Sequence, residues 1–307
     1  MGRIRGRTRI VAAATTAALA GILHGPVPVA AEPSPLVVGL GTLLDSTIAL
    51  LPPAPAEHTP YAGQTCPDGS STCIDATIAR MQERLAGLAE SCEHSVIFSL
   101  AYLRVTEDVR EAVREGDYVD PVWLGQVDAV FAEDYFETVA NWEAGRKDLV
   151  PRAWQIALAA EDDRSMSALG NFMLAMNAHI NRDFPHVTAE VGLTGADGTS
   201  HKRDHDMYNK RLDALLDPVF TEMAARFDPT FDDLDISVPA AVIMRGWREM
   251  VWRHAEALVL APTPAAKRLV VQEIEAYAAA QALMIRTMFA IPDSAKRDAW
   301  CAQHGRG

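Results

Sequence analysis

The chain has 307 residues, of which 49% are hydrophobic, and a formal net charge of −13. That length supports one large core or two modest ones. The acidic balance argues against a nucleic-acid binder, which needs Lys and Arg to neutralise phosphates, and it leaves a small-molecule or lipid-like ligand open.

Residues 1–31 read as a signal peptide. Arg3, Arg5, Arg7 and Arg9 form a positive start, the uncharged apolar run Ile10 to Leu23 follows, and Val29-Ala30-Ala31 offers the small residues a signal peptidase needs. The run is too short for a stable membrane span, which favours cleavage after Ala31 over a retained anchor, and no transmembrane span is expected in the mature chain. No cysteine stands just past it to carry a lipid. Cleavage removes four arginines and takes the net charge from −13 to −17. The expected destination is secreted or extracytoplasmic.

Residues 32–73 form a segment rich in Pro, Gly and Ser, interrupted by the apolar patch Leu36 to Leu51 and closed by Pro52-Pro53-Ala54-Pro55, an extended linker. The patch suits a short packed helix or a surface-seeking segment. Export makes disulfides permissible, and four cysteines allow three connectivities. Cys66 and Cys73 bracket a Pro-Asp-Gly-Ser-Ser turn, which favours a local pair and leaves Cys92 for Cys301. The longer bridge is worth roughly 5 kcal/mol by loop entropy.

From Ile74 to the C-terminus at 307 the apolar period is helical. Ile74, Ile78, Met81, Leu85 and Leu88 step by four and three, the spacing of one helix face. A second helix is expected over 95–115, with Phe98, Tyr102, Val105 and Val109 on one stripe and Gly116 ending it. Asp120-Pro121 is an N-cap followed by proline at the first helical position. Further helices are expected over 151–160, 163–186, 201–227, 238–261 and 264–290, with a short one from Asp293. No alternating strand, internal repeat or dividing linker is visible. The reading is an all-α, bundle-like domain of about eight helices.

The chemistry-bearing stretch is Asn177-Ala178-His179-Ile180-Asn181-Arg182-Asp183. His179 and Asp183 fall on the stripe of Phe172, Met176 and Ile180, the face that should be buried. A buried ionised carboxylate is costly unless it is paired or holds a metal, and His and Asp four residues apart on one face can reach a single ion. His186 comes just after Pro185, which disfavours helix at Phe184 and places it near the helix end. A second cluster follows: His201 and His205 project into the stripe of Tyr208, Leu212 and Leu216, with Asp204 and Asn209 on its flanks. His94 shares a face with Phe98 and Tyr102, and His254 sits between Trp247, Val251 and Leu258. The competing account is that inward histidines bond backbone carbonyls and inward aspartates cap helices or pair with Arg182, Arg211, Arg248 or Arg253.

The segment Tyr102-Leu103-Arg104-Val105-Thr106, the Asn177 to Asn181 run with Asp183, and the His201-x-x-Asp204 to Asn209 pattern resemble an uncharacterised, mainly actinobacterial family of all-helical proteins, over roughly Ile74 to Ile291. The resemblance implies a helical domain with no assigned reaction. In that family an aromatic or apolar residue commonly takes the place of His205, which favours His179, Asp183, His201 and Asp204 over His205 as ligands.

One functional expectation is a divalent-metal-dependent phosphoester hydrolase, zinc favoured, in which those four residues converge on the ion and His254 or His94 completes the shell or shuttles a proton. His-x-x-x-Asp on a helix is similar to what zinc-dependent phospholipases C use, although their N-terminal ligand and closer His-Asp pairs are not matched. Asp232-Asp233-Leu234-Asp235 resembles a prenyl-diphosphate aspartate motif, but it lies between Pro229 and Pro239 without a second such motif. The alternative is a non-enzymatic binding or structural module with a self-satisfied polar core. No Gly-x-Ser-x-Gly and no Gly-rich phosphate loop is present.

Overall fold

A computed structural model describes residues 43, 44, 46–48, 50–231 and 237–305. The signal peptide, much of the apolar patch and Asp232 to Asp235 lie outside them. The described chain is helical, with isolated bridges at Met166–Ala290 and Thr194–Ser200 and no strand among the described residues. Among the described residues from 50 onward, eleven α-helices run in order: α1 Ser71–Ser91, α2 Val96–Glu115, α3 Pro121–Glu143, α4 Arg152–Asp162, α5 Ala168–Asn177, α6 Phe184–Val191, α7 Lys202–Asp213, α8 Leu216–Arg226, α9 Ser237–Val259, α10 Pro264–Phe289 and α11 Ala295–His304. None is long and apolar enough to cross a membrane among the described residues.

The sequence places nine helical stretches, and the count reaches eleven because two of them are each divided. The stretch 201–227 breaks at Ala214 and Leu215, between α7 and α8. The stretch 163–186 becomes α5, a π-helical segment Ala178–Asp183, and α6, which continues through Pro185 to Gly192 at φ 107°. Pro185 does not end the helix. In the wider turn the Phe184 N–H reaches back to the His179 carbonyl, five residues away, and that register accommodates a ring that would collide with the i−4 carbonyl of a regular α-helix.

The rod α5–π–α6 is the centre of the fold. α5 buries residues on all sides, from Ala168 and Asn171 through Phe172, Met173, Leu174 and Ala175 to Asn177, as a helix apolar all round must. Helices α2, α3, α4, α9 and α10 pack around the rod. At its start Gly170 permits close approach, since a Cβ there would stand 2.6 Å from the Cβ of Phe289. Asn177 and Asn181 are absorbed by this packing: the Asn177 amide donates to the Ala278 carbonyl of α10 at 2.9 Å, and Asn181 donates to Asn177 Oδ1 at 2.9 Å.

The helix starts at Asp120 and Thr263 are formed as their sequences require, with side-chain oxygens accepting from the N–H groups of Trp123 and Ala266. Disulfides join Cys66 to Cys73 and Cys92 to Cys301. The second ties the end of α1 to α11. Pro52 to Pro55, expected as an extended linker, instead belong to a strap that runs over the helices. Arg253 donates to the carbonyls of Leu51 and Pro52, and Glu256 Oε1 accepts from Ala54 N–H. His58 Nδ1 contacts Thr194 O at 2.8 Å. The same arginine and glutamate belong to an ion-pair chain Asp206–Lys202–Glu249–Arg253–Glu256 that links α7 to α9.

Candidate functional site: a buried aromatic chamber

The helix α2 brings Phe98 and Tyr102 against the π segment, and α3 brings Phe131 and Tyr135. These rings enclose His179. Phe131 stacks on it with centroids 3.4 Å apart and planes 2° from parallel, Tyr102 stands at 4.3 Å, and Phe98 at 5.3 Å, edge-on. His179 Nδ1 lies 3.8 Å from Asp183 Oδ2, beyond hydrogen-bond length. That carboxylate is held elsewhere: Trp154 Nε1–H donates to Oδ2 at 2.6 Å and Arg182 donates to Oδ1 at 3.0 Å. Neither ring nitrogen of His179 has a protein hydrogen-bond partner. Burial pushes its pKa down, with Asp183 acting against the shift, so the neutral ring offers one donor and one acceptor.

Beside this ring α2, α3, α5, the π segment and α6–α9 leave a chamber of about 110 Å³. Its wall is mainly apolar, with Val127, Phe172, Leu216 and Met244 among the lining residues, and its polar members include Tyr102, Asp128, His179, His205 and Asn209. The Tyr102 hydroxyl, Asp128 Oδ2 and His205 Nε2 are buried without a protein partner. Burial pushes the Asp128 carboxyl up to about 8; Thr106 tempers this without reaching hydrogen-bond geometry. His205 is pushed down by burial, with Asp206 opposing. Its Nδ1 contacts Asn209 at 3.1 Å and Asp206 at 3.4 Å. Arg248 also reaches the wall, but it donates to Asp213 at 3.0 Å and to the Met244 carbonyl at 3.1 Å.

The four residues expected to converge on a metal occupy separate places. His179 lines the chamber, and Asp183, which does not, has its Oδ2 3.8 Å from His179 Nδ1. His201 and Asp204 hold the turn ahead of α3 instead. Asp204 accepts the N–H groups of Val119 at 2.9 Å and Asp120 at 2.6 Å. The His201 nitrogens face Gly192 O at 3.0 Å and Asp120 Oδ2 at 3.1 Å, and its ring stacks on Trp123. Among the described residues, the one group of three or more His, Cys, Asp or Glu with donor atoms close enough for a single ion is Cys66, Asp68 and Cys73, and its two sulfurs are bonded to each other.

His94 and His254 stand away from the chamber wall. His94 contacts Asp298 at 2.9 Å and Arg297 at 3.1 Å, and burial lowers its pKa to about 4. His254 sits edge-on to Tyr277 at 5.7 Å, its Nδ1 unpartnered within the protein. His186 lies within α6, not past a helix end.

Asp128 escaped the sequence reading although a signal was there. Leu124, Asp128, Phe131 and Tyr135 step by four, three and four, so the aspartate stands on a core stripe of α3.

Neither a curated protein nor a solved structure matches this chain. Residues 74–288, which include the whole chamber, match a family of unknown function, DUF5995, and the chain belongs to that family.

Proposed function

We propose that the protein is an exported binding module for a small, mainly apolar molecule held in the chamber beside His179. The observation that carries this reading is an apolar cavity lined in part by Tyr102, Asp128, His179 and His205, each of which also has a buried polar atom with no protein partner. Each such atom costs about 1–3 kcal/mol if left unsatisfied, so a ligand that meets them recovers affinity from groups the fold has already desolvated. An apolar pocket with a few converging polar groups is the general form of a small-molecule site. Export is supported by the leader-like first 31 residues and by the two disulfides.

The metal-dependent hydrolase reading has its four residues at two places: Asp183 accepts from Trp154 and Arg182, while His201 and Asp204 serve the turn ahead of α3.

The test uses the chain from Glu32 onward, without a histidine tag. Its thermal midpoint is followed with a panel of single-ring and short-chain compounds, and a solvent extract is examined by mass spectrometry. The expected result is a rise with several of the compounds, abolished in Val127→Phe, which fills the chamber. No shift with any compound and an empty extract would sink the proposal. Stoichiometric zinc, lost in a His179→Ala, Asp183→Ala double variant, would return the argument to the hydrolase.

A further inference from the structure

We propose that the chamber selects an uncharged molecule about the size of one six-membered ring, carrying a hydroxyl or similar group that both donates and accepts a hydrogen bond, with Tyr102, Asp128 and His179 reading that group. This rests on the chamber being a ligand site and goes further by naming what it takes.

Size comes first. At about 110 Å³ the chamber is somewhat smaller than an engineered protein cavity of about 150 Å³ that takes up benzene. One ring or a chain of similar volume matches that space. Shape agrees: flat rings from Tyr102, Phe131 and Phe184 contribute to the lining, and aromatic faces and edges receive another ring well.

Charge comes next. A ligand carboxylate or ammonium would enter a space whose wall is mostly hydrocarbon. The guanidinium of Arg248, the one cationic side chain of the wall, already serves Asp213 and the Met244 carbonyl. Taking an ion out of water into such a space is costly unless a counter-charge is waiting. An uncharged molecule avoids that cost.

The polar group follows from the inventory of the wall. A neutral imidazole supplies one donor and one acceptor, a phenolic hydroxyl does both, and a carboxyl that stays protonated at neutral pH adds a donor. None of the atoms concerned, His179 Nδ1 and Nε2, Tyr102 Oη and Asp128 Oδ2, is used by the protein. Sites that hold buried polar groups in wait discriminate strongly against analogues lacking the matching group.

The experiment measures dissociation constants of phenol, toluene and benzoate for the chain from Glu32 onward by titration calorimetry or ligand-observed NMR. Phenol and toluene have nearly the same shape, and toluene is the more readily driven from water. Phenol is expected to bind at least tenfold more tightly than toluene, with benzoate not binding. In Tyr102→Phe, which removes one unpartnered hydroxyl and leaves the ring packing, and in His179→Leu, the preference for phenol is expected to shrink to about threefold or less while toluene still binds. Equal binding of toluene and phenol by the unaltered protein would overturn this inference and leave the binding function standing. Benzoate binding tightest would overturn it in favour of an anionic ligand. Binding of none of the three would overturn the inference together with the function on which it rests.

Discussion

His179 and Phe131 lie face to face, centroids 3.4 Å apart and planes 2° from parallel, while both imidazole nitrogens go without a protein hydrogen bond. A neutral ring used only for its faces adds nothing to folding that an apolar side chain could not. His179→Leu should therefore leave stability unchanged or raise it by up to about 2 kcal/mol, because a desolvated polar group is removed. His179→Ala should lower it by about 2–4 kcal/mol through the cavity it opens. Urea unfolding of the two variants checks both. A large loss in the leucine variant would show that the imidazole is bonded in the folded state.

Asp183 has the opposite character. Its side chain is fully buried, and it takes the indole N–H of Trp154, itself fully buried, and a guanidinium N–H of Arg182. Replacing it by leucine orphans the indole and one side of the arginine, which retains Glu275. The expected cost is about 3 kcal/mol or more, with Asp183→Asn milder because an amide oxygen still accepts from Trp154. The same unfolding measurements repeated with a strong chelator should give the same differences. If the chelator alone destabilises the unaltered protein to the level of the variant, Asp183 is holding an ion.

The helical class, the caps at Asp120 and Thr263 and the inward faces of His179 and His205 were legible in the sequence because each depends on spacing within one helix. The partners of those side chains were not. Trp154 lies 29 residues before Asp183, and Asp120 lies 81 before His201; helical periodicity says that a carboxylate is buried and nothing about which distant group meets it. Pro185 misled for a physical reason. Its local preference is to end a helix, and here helices α3 and α9 pack on α6, so the chain keeps the helix and widens the turn before it. Asp128 was readable from its stripe. It was overlooked because a histidine nearby in sequence makes a carboxylate conspicuous, and α3 has none.

Asp204 accepts two successive backbone N–H groups, those of Val119 and Asp120, and so sets the turn from which α3 starts. Asp204→Ala should cost about 2–3 kcal/mol, since two part-buried donors lose their partner. Hydrogen exchange should quicken at Val119, Asp120 and Trp123 before it does elsewhere in α3. Asp120 both caps α3 and meets His201, so a double-mutant cycle between Asp120 and His201 should show coupling of about 0.5–3 kcal/mol. Strict additivity would mean that the histidine and the cap act independently.

The pH dependence of folding carries a contribution from Asp128. Burial raises its folded pKa from 3.8 to about 8, so between roughly pH 4 and 8 the native state keeps a proton that the unfolded chain has released. Stability contributed by the protonated carboxyl is complete below pH 4 and is lost as the pH rises towards 8, at up to about 1.4 kcal/mol per pH unit. Glu161, raised to about 7 mainly by burial, acts in the same direction. His94 and His254, lowered to about 4 mainly by burial, act in the other, costing stability as the pH falls from 6.5 towards 4. The unaltered protein should therefore lose stability on both sides of an optimum. Asp128→Asn, which cannot ionise, should make the alkaline side shallower, with Glu161 and Asp134 (raised to about 7 by burial) keeping the remaining slope, and should leave the acid side in place, as read from urea midpoints between pH 4.5 and 8.5. If the two proteins lose stability in parallel from pH 6 to 8, Asp128 is not the group that holds the proton. The donor assigned to it in the chamber would then have to come from Tyr102 or His179.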